Sequence, residues 1–313
     1  MYGIGVAIDF SAHVQVSAFN DCCPNPPEVK MEPNEPEDRL KIMDKYDIKM
    51  QVVHLSVAHI YDLEPSESIR AVRIVNDYIY NELVSKYPDR FIGCGAVSLL
   101  DADAALEEID RVRGMGFKCV TVPTHRRDSG LDHPGVRKVL RHVARHGMPL
   151  FLHPISWRGY SVVDEGSMLA FGWPFDTSLA VWTLITKGIL DELPSLKVIT
   201  HHLGAMVTYY YNRMRYNFAR INVGLKRPLV SYLEQIYVDT ALDGGSLADL
   251  MAAYQIFGSR RILFGSDWPF VESELSIRDN MASILAMPVP EEAKERILHG
   301  NAEELLGIGS MST

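Results

Sequence analysis

Short apolar runs alternate with longer amphipathic segments along almost the whole chain. Each run is rich in β-branched residues and short enough for a strand that is buried on both faces, as in a parallel sheet. The eight runs are, in order, GVAIDF, MQVVHLS, FIGCGAVS, KCVTVPT, PLFLHP, KVITHH, QIYVDT and RILFGSD. This pattern predicts eight parallel strands.

The segments between these runs have the period of amphipathic helices. Asp101 precedes one of them as an N-cap, Pro134 opens another, and Gly147 ends that second one. The predicted helices span residues 37–46, 68–87, 102–115, 134–146, 176–193, 246–257 and 290–306. Strands that alternate with helices through right-handed connections close most naturally into a (β/α)8 TIM barrel, here a single α/β domain over residues 1–313.

One segment does not fit the bare barrel. Residues from about 17 to 36 follow the first strand, are proline-rich and acidic, and show no period. Such a loop either covers the carboxyl-end face of the barrel as a lid or lies flat as a long connection.

Composition restricts the class of protein. With 313 residues, 47% apolar and 23% charged, the chain can bury a large core and is typical of a soluble globular protein. The net charge of -9 repels phosphates and anionic lipid head groups, so we expect no nucleic-acid partner and no membrane partner. The first residues lack the pattern of a signal peptide, and no stretch approaches about 18 consecutive apolar residues. We therefore expect a cytoplasmic protein.

The four cysteines match neither a disulfide framework nor a zinc motif. Cys94 and Cys119 lie within apolar runs and should be buried. Cys22 and Cys23 are adjacent in the long loop, where we expect free thiols.

Ionisable residues stand at the ends of several predicted strands. His13 follows the first run, His153 ends the fifth, His202 ends the sixth and Asp267 ends the eighth. Because the carboxyl ends of barrel strands converge, these side chains should meet in one pocket.

Strand alternation places Asp9, Ser11 and His13 on one side, which is the inner side if Ile8 and Phe10 pack against the helices.

Two imidazoles and one carboxylate, from His13, His153 and Asp267, would leave open positions on a divalent metal, as in catalytic sites. The alternative for each histidine is a hydrogen-bonded core residue. The alternative for Asp267 is a cap on the following loop.

Substrate-binding groups are expected on the other loops. The guanidinium fork of an arginine matches a carboxylate, and a tryptophan offers a stacking surface. The candidates are His125 and Arg127 after the fourth strand, Trp157 and Arg158 after the fifth, and His54 and Asp239 at the ends of the second and seventh. For Arg127 and its neighbour Arg126 the alternative is a solvated basic turn.

Taken together, the segments RLKIMDKYDIKMQVVHLS, LFLHP, LKVITHHLGAMVTYYYNR, ILFGSDWPF and ILHGNAEELLGI resemble the amidohydrolase-2 branch of the amidohydrolase superfamily. Within it, the chain is most similar to the aminocarboxymuconate semialdehyde decarboxylases and the γ-resorcylate decarboxylases. The resemblance runs over nearly the whole chain and implies the same barrel, and a homodimer is expected because related proteins are often dimers.

The resemblance also implies roles for individual residues. His13, His153 and Asp267 match the metal ligands, and His202, rather than His201, matches the acid/base histidine. The implied metal is zinc, with manganese as the alternative. At Ser11 the family has a further ligand, and a serine hydroxyl binds such metals more weakly than imidazole does.

These expectations favour a metal-dependent decarboxylase that acts on a small aromatic or unsaturated carboxylic acid, with His202 or Asp267 as the proton donor. A metal-dependent hydrolase or hydratase, acting on a lactone, amide or conjugated acid, could use the same groups. A metal-free binding barrel is the third possibility, and Ser11 is the only feature that favours it.

Overall fold

Eight parallel strands pair in chain order, from β1 to β8, in a computed structural model that describes residues 6–14, 36–55, 63–155, 164–221, 224–270 and 273–309. The strands are β1 Ala7–Val14, β2 Ile48–Leu55, β3 Phe91–Ala96, β4 Cys119–Pro123, β5 Leu150–His153, β6 Val198–Thr200, β7 Ile236–Asp239 and β8 Ile262–Leu263. Every predicted run overlaps one of them. The predicted TIM barrel is confirmed.

The sheet is closed by hydrogen bonds between β1 and the chain around and after β8. The amide of Phe10 donates to the carbonyl of Phe264 at 2.8 Å, and the amide of His13 donates to the carbonyl of Trp268 at 2.7 Å. This closure brings the first and last strands side by side, as the barrel prediction requires.

Helices connect the strands and cover the outside of the barrel. They are α1 Glu37–Lys45, α2 Pro65–Tyr78, α3 Ala102–Gly114, α4 Pro134–Arg145, α5 Glu165–Ser167, α6 Trp173–Thr186, α7 Ile189–Glu192, α8 Met206–Ile221, α9 Leu229–Leu233, α10 Leu247–Phe257, α11 Ser273–Ala286, α12 Glu291–Glu295 and α13 Asn301–Leu306. Short π-helical turns adjoin α2, α6 and α12. The sequence pattern did not predict α5, α8, α9 and α11. In α8 only Val207 and Thr208 are buried.

Two separate apolar cores hold the barrel together. The outer core lies between the sheet and the helices, whereas the inner core fills the barrel with side chains such as Ile8, Phe10 and Phe151. The inner core also contains Cys94 and Cys119, which are buried free thiols as predicted.

A bulge in β1 changes which side chains point inward. The register between β1 and β2 slips between Asp9 and Ala12, so that an extra residue of β1 is accommodated there. Phe10 lies in the inner core, and Ser11 contacts His201 inside the barrel. The prediction that Ile8 and Phe10 pack against the helices was therefore wrong, because simple alternation does not continue through a bulge.

Asp9 consequently points away from the pocket and cannot assist metal binding as a ligand. Its carboxylate accepts hydrogen bonds from the amide of Ser11 at 3.2 Å and from Nε2 of Gln51 at 2.8 Å. It also accepts from the amide and the hydroxyl of Ser266, at 2.9 and 2.6 Å. Burial raises the pKa of Asp9 even though these donors lower it. The residue ties β1 to β2 and to the end of β8.

Arg39 of α1 is fully buried and reinforces the same junction. Its guanidinium donates to the side-chain oxygen of Gln51 at 3.1 Å and to the carbonyl of His13 at 2.7 Å. The same group lies 4.2 Å from the centre of the Trp268 ring, a cation–π contact. One side chain thus links α1, β1, β2 and the chain after β8.

Some predictions fall on residues that the structure does not describe. Residues 17–35, which include Cys22 and Cys23, lie outside the described residues, so the alternatives of lid and connection both stay open. Within the described part, the helical stretch Met168–Thr186 is long and apolar enough to cross a membrane by length and composition. Core helices of soluble proteins pass the same test, so the absence of a membrane partner stays a prediction.

Replacement of Arg39 tests this junction. We expect Arg39→Met to lower the free energy of unfolding by roughly 2–4 kcal/mol, because two buried acceptors lose a charged donor. Urea unfolding followed by circular dichroism measures the change. Lys41→Met is the control, since Lys41 is exposed and pairs only with Asp38 among the described residues, and it should change the midpoint little. Equal midpoints for both variants would contradict the assigned role.

Candidate active site

Three buried histidines meet at the carboxyl end of the barrel. One ring nitrogen each from His13, His153 and His201 can be chosen so that all three lie within 4.8 Å of one another. Their ring centres are separated by 5.4, 5.4 and 5.0 Å. With metal–nitrogen bonds of about 2.1 Å at tetrahedral angles, imidazole centres lie roughly 5 Å apart. The three rings are thus spaced like ligands of one ion.

Asp267 stands beside this group. Its Oδ1 lies 2.9 Å from Nε2 of His13, but Asp267 is not part of the set in which all ligand atoms are mutually close. Its backbone has a φ of 61°, and its amide donates to the carbonyl of Ser11 at 2.8 Å. Burial raises the pKa of Asp267, but His13, His202 and His153 lower it by more, so the carboxyl ionises more readily than usual.

His153 is oriented by its own backbone. Nδ1 lies 2.7 Å from the carbonyl oxygen of Pro154, to which it donates, and Nε2 is therefore the nitrogen that can bind a metal. Burial and the neighbouring His13 lower the pKa of His153 to about 3. The ring is neutral at physiological pH, as ligation requires.

His201 is a site residue that sequence reasoning missed. Its Nδ1 lies 3.2 Å from the hydroxyl of Ser11 and 3.0 Å from Oδ2 of Asp239. Burial is the main reason why the pKa of His201 lies well below the ordinary value. A signal was available, because strand alternation continues from Ile199, which lies in the inner core, to His201.

The donor set fits a divalent metal. Nδ1 of His13 and Nε2 of His201 are buried and have no hydrogen-bond partner among the described residues. Buried polar atoms without partners cost free energy, so such atoms in a native site point to a bound ion or molecule. The predicted ligands His13 and His153 belong to this set, with Asp267 in contact with His13.

His54 lies behind this group. Its ring centre is 4.3 Å from that of His13 but 6.3 Å from that of His153, and neither ring nitrogen has a hydrogen bond of good geometry to the described residues. Burial, with His13 and His153 nearby, places the pKa of His54 well below its ordinary value. It contributes a neutral ring to the floor of the site.

His202 occupies a separate position on the wall of the cavity. Its backbone has a φ of 58°, so the chain turns sharply after His201. Its amide donates to Oδ1 of Asp239 at 2.9 Å, and its Nδ1 lies 3.1 Å from the carbonyl of Ala241. Burial lowers the pKa of His202, but the carboxylates of Asp267, Asp239 and Asp243 raise it by more, so it lies above the ordinary value.

Asp239 supports both adjacent histidines from beneath. It is fully buried, and its Oδ1 also accepts from the amide of Ala241 at 3.1 Å. Burial raises the pKa of Asp239 to about 7, although His202 lowers it. The predicted role in substrate binding therefore changes to one of positioning.

A cavity of about 770 Å³ opens above these residues. Its polar lining includes His153, His201, His202, Asp243 and Asp267. Its apolar lining includes Leu169, Phe171, Trp173, Met206, Tyr209 and Phe270. No lysine or arginine lines it in the part of the chain that the structure describes.

Four predicted substrate-binding residues do not line this cavity, namely His54, His125, Arg127 and Asp239. Arg127 pairs with Glu64 at 3.0 Å on the surface, as in the alternative of a solvated basic turn. Nδ1 of His125 lies 2.7 Å from the carbonyl of Arg126. Trp157 and Arg158 fall outside the described residues, and their roles stay predictions.

A second group of possible ligands lies on the surface. Asp110 of α3 contacts His142 and His146 of α4, with nitrogen–oxygen distances of 3.0 and 3.3 Å. Their ligand atoms also lie within 4.8 Å of one another. The group is partly exposed and far from the strand ends that form the cavity.

Comparisons with known proteins agree with this architecture. The sequence profile of the amidohydrolase family matches residues 8–308. A 2-amino-3-carboxymuconate-6-semialdehyde decarboxylase from Dictyostelium discoideum is 25% identical over 88% of this chain and 77% of its own length. A γ-resorcylate decarboxylase from Rhodococcus jostii is 29% identical over 74% of this chain and 76% of its own length.

Solved structures share the fold. The 2,6-dihydroxybenzoate decarboxylase from Rhizobium superposes with a TM-score of 0.83 and 24% identity, covering 96% of this chain and 98% of that one. A dihydroxybenzoic acid decarboxylase from Polaromonas, solved with bound manganese and the inhibitor 2-nitroresorcinol, has a TM-score of 0.83 and 22% identity, with coverages of 96% and 97%.

The close packing around Ser11 can be tested at Gly265. A Cβ at this position would lie 2.8 Å from Cβ of Ser11 and 3.1 Å from Cβ of Asp239. We expect Gly265→Ala to destabilise the protein by about 1–3 kcal/mol through overpacking and to reduce the metal bound per chain. Thermal unfolding and elemental analysis measure the two effects. Gly114→Ala is the control, because nothing lies within 4 Å of its Cβ position, and it should keep both values.

Proposed function

The chain belongs to the amidohydrolase family, and on that premise we propose that it is a metal-dependent decarboxylase of a small aromatic carboxylic acid. The observation that carries the proposal is the convergence of His13, His153 and Asp267 beneath a largely apolar cavity, with His202 on its wall. The names of the relatives support the same class of reaction.

The metal-binding residues in this proposal are His13, His153 and Asp267. When bound, a divalent metal acts as a Lewis acid that holds and polarises a carboxylate and a neighbouring hydroxyl group of the substrate. The manganese in the Polaromonas structure supports manganese as the metal. Zinc is the alternative, since imidazole and carboxylate ligands suit both ions.

The cavity itself favours an aromatic acid. Phe171, Trp173 and Phe270 offer apolar surface for a ring, and the volume of about 770 Å³ accommodates one with its substituents. Transfer of a carboxylate from water into such surroundings raises its free energy relative to neutral carbon dioxide. The apolar wall therefore promotes loss of the carboxyl group.

The proton that replaces the carboxyl group comes from His202 in this proposal. Its pKa lies above the ordinary value, whereas that of Asp267 lies below it. At neutral pH the imidazole thus carries an available proton more often than the carboxyl does. Asp267 stays ionised, which suits a ligand and does not suit a general acid.

Apart from Ser11, which favours a metal-free barrel, no observation on the described residues favours the two alternative functions. A hydrolase or hydratase would use the same groups to activate water, and the apolar cavity offers no particular advantage for that reaction. A metal-free binding barrel would leave the buried nitrogens of His13 and His201 without a function. A homodimer, a cytoplasmic location and the absence of nucleic-acid and membrane partners stay predictions from the sequence.

Removal of the metal is the first test. Chelation followed by gel filtration should abolish release of carbon dioxide from 2,6-dihydroxybenzoate and other hydroxybenzoates, because the substrate loses its anchor. Manganese or zinc should restore release, and magnesium should restore less, since imidazole is a poor ligand for it. Chelated protein with undiminished activity would contradict the metal-dependent mechanism.

Replacement of His202 tests the proton donor. His202→Asn should lower the rate of decarboxylation about 100- to 10,000-fold, the range expected for loss of a general acid, without loss of bound metal. In the wild type the rate should fall as pH rises through the pKa of His202, because only the protonated ring can donate. This falling limb should be missing from the residual activity of the variant. His142→Asn, on the surface, is the control and should keep the wild-type profile; a wild-type rate in His202→Asn would refute its role.

A further inference from the structure

Position 11 lacks the ligand that the family pattern leads one to expect, and the structure contains a histidine in the adjacent space. The hydroxyl of Ser11 points at Nδ1 of His201, 3.2 Å away. Both side chains are buried. A larger side chain at position 11 would therefore meet the imidazole of His201, and the small serine leaves room for that ring.

The ring of His201 is oriented for ligation. Its Nδ1 faces Ser11 and Asp239, with Oδ2 of Asp239 at 3.0 Å. Its Nε2 is buried and has no partner among the described residues. The hydrogen bond at Nδ1 is to the hydroxyl of Ser11, and Oδ2 of Asp239 lies beside it without a hydrogen bond of good geometry to the described residues. An outer partner at one ring nitrogen, with the other nitrogen free, is the usual arrangement of a metal-binding histidine.

We propose that His201 replaces the ligand missing at position 11, so that His13, His153 and His201, together with Asp267, form the metal shell. The ligand then comes from the residue after β6 and not from β1. Asp239 is then a positioning residue that acts on the metal through His201. This inference rests on the proposed function only in that both require a metal.

Neighbouring histidines fit the position less well. His54 is not in the set whose ligand atoms lie within 4.8 Å of one another, and its ring centre is 6.3 Å from that of His153. His202 is outside the set as well, and its Nδ1 is engaged by the carbonyl of Ala241. His201 alone among these three satisfies the distances to both His13 and His153.

Metal binding without substrate provides the test. The parent protein carries His142→Ala and His146→Ala, so that the surface group with Asp110 cannot bind the ion. Manganese affinity is measured by competition with a chelator, and stoichiometry by elemental analysis. We expect His201→Asn to weaken binding by more than the roughly 10- to 100-fold that loss of an outer partner costs. Asp239→Asn should fall within that range.

Two variants serve as matched controls. Ser11→Ala removes the hydroxyl beside Nδ1 of His201 but no imidazole, and it should weaken manganese binding by no more than Asp239→Asn does. His202→Asn removes the adjacent imidazole and should bind manganese like the parent. Unchanged affinity in a folded His201→Asn protein, or a loss confined to His202→Asn, would overturn the assignment of His201.

Pulsed EPR of the manganese-loaded parent protein gives an answer that does not depend on any substitution within the site. Three coordinated imidazole nitrogens support the proposal, whereas two overturn it. A rescue experiment adds to this: Ser11→His combined with His201→Ser should bind manganese more tightly than His201→Ser alone. Failure of a folded double variant to do so would contradict the idea that the two positions serve one ligand site.

The results also separate this inference from the proposed function. Metal binding that depends on His201, without release of carbon dioxide from any aromatic acid, would overturn the proposed decarboxylase activity and support His201 as a ligand. Decarboxylation together with metal binding that is independent of His201 would support the activity and overturn His201 as a ligand. A parent protein that binds no manganese and no zinc would overturn both.

Discussion

The pairing of β1 with the chain that follows β8 is the constraint on which the site depends. Asp267 and His13 are 254 positions apart, yet their side chains lie within 2.9 Å because the two backbones are hydrogen-bonded side by side. Two contacts on its outer side stabilise this junction. Ser266 donates a hydrogen bond to Asp9, and Arg39 makes a cation–π contact with Trp268. A shift of one residue in this pairing would turn His13 away from the pocket. The buried hydrogen bonds that fix the pairing therefore also fix the position of His13.

Three carboxyl groups near the junction of β1 with the chain after β8 show how surroundings decide a role; those of Asp9 and Asp239 are buried, and that of Asp267 is partly exposed. Asp9 accepts four hydrogen bonds and is used entirely for structure. Asp267 is surrounded by histidines, and its pKa is lowered, which suits a metal ligand. The pKa of Asp239 is raised to about 7 by burial, and this group holds His202 and contacts His201 from below. The same functional group thus serves as a structural hydrogen-bond acceptor in Asp9, as a proposed metal ligand in Asp267 and as a positioning group in Asp239.

With His201 as proposed in place of a ligand at position 11, the metal shell keeps its number of ligands while one of them comes from a different strand. What a metal requires is a nitrogen or oxygen at the right distance, and it does not matter which strand supplies it. Since Ser11 and His201 share one space, a small residue at one position and an imidazole at the other are coupled choices. Ser11 was the only feature that favoured a protein without metal. With His201 as a ligand, Ser11 instead leaves the space that the imidazole of His201 occupies.

The sequence by itself determined the eight strands, most of the helices, the family, and the strand ends that carry His13, His153, His202 and Asp267. These features follow from burial along each strand and from local motifs, which a linear pattern records. Only the tertiary structure decided that Asp9 points outward, that His202 lies on the wall of the cavity and that Arg127 pairs with Glu64 on the surface. The physical reason is that these orientations depend on a bulge, a positive φ and the register with partners distant along the chain, none of which leaves a periodic trace in the sequence.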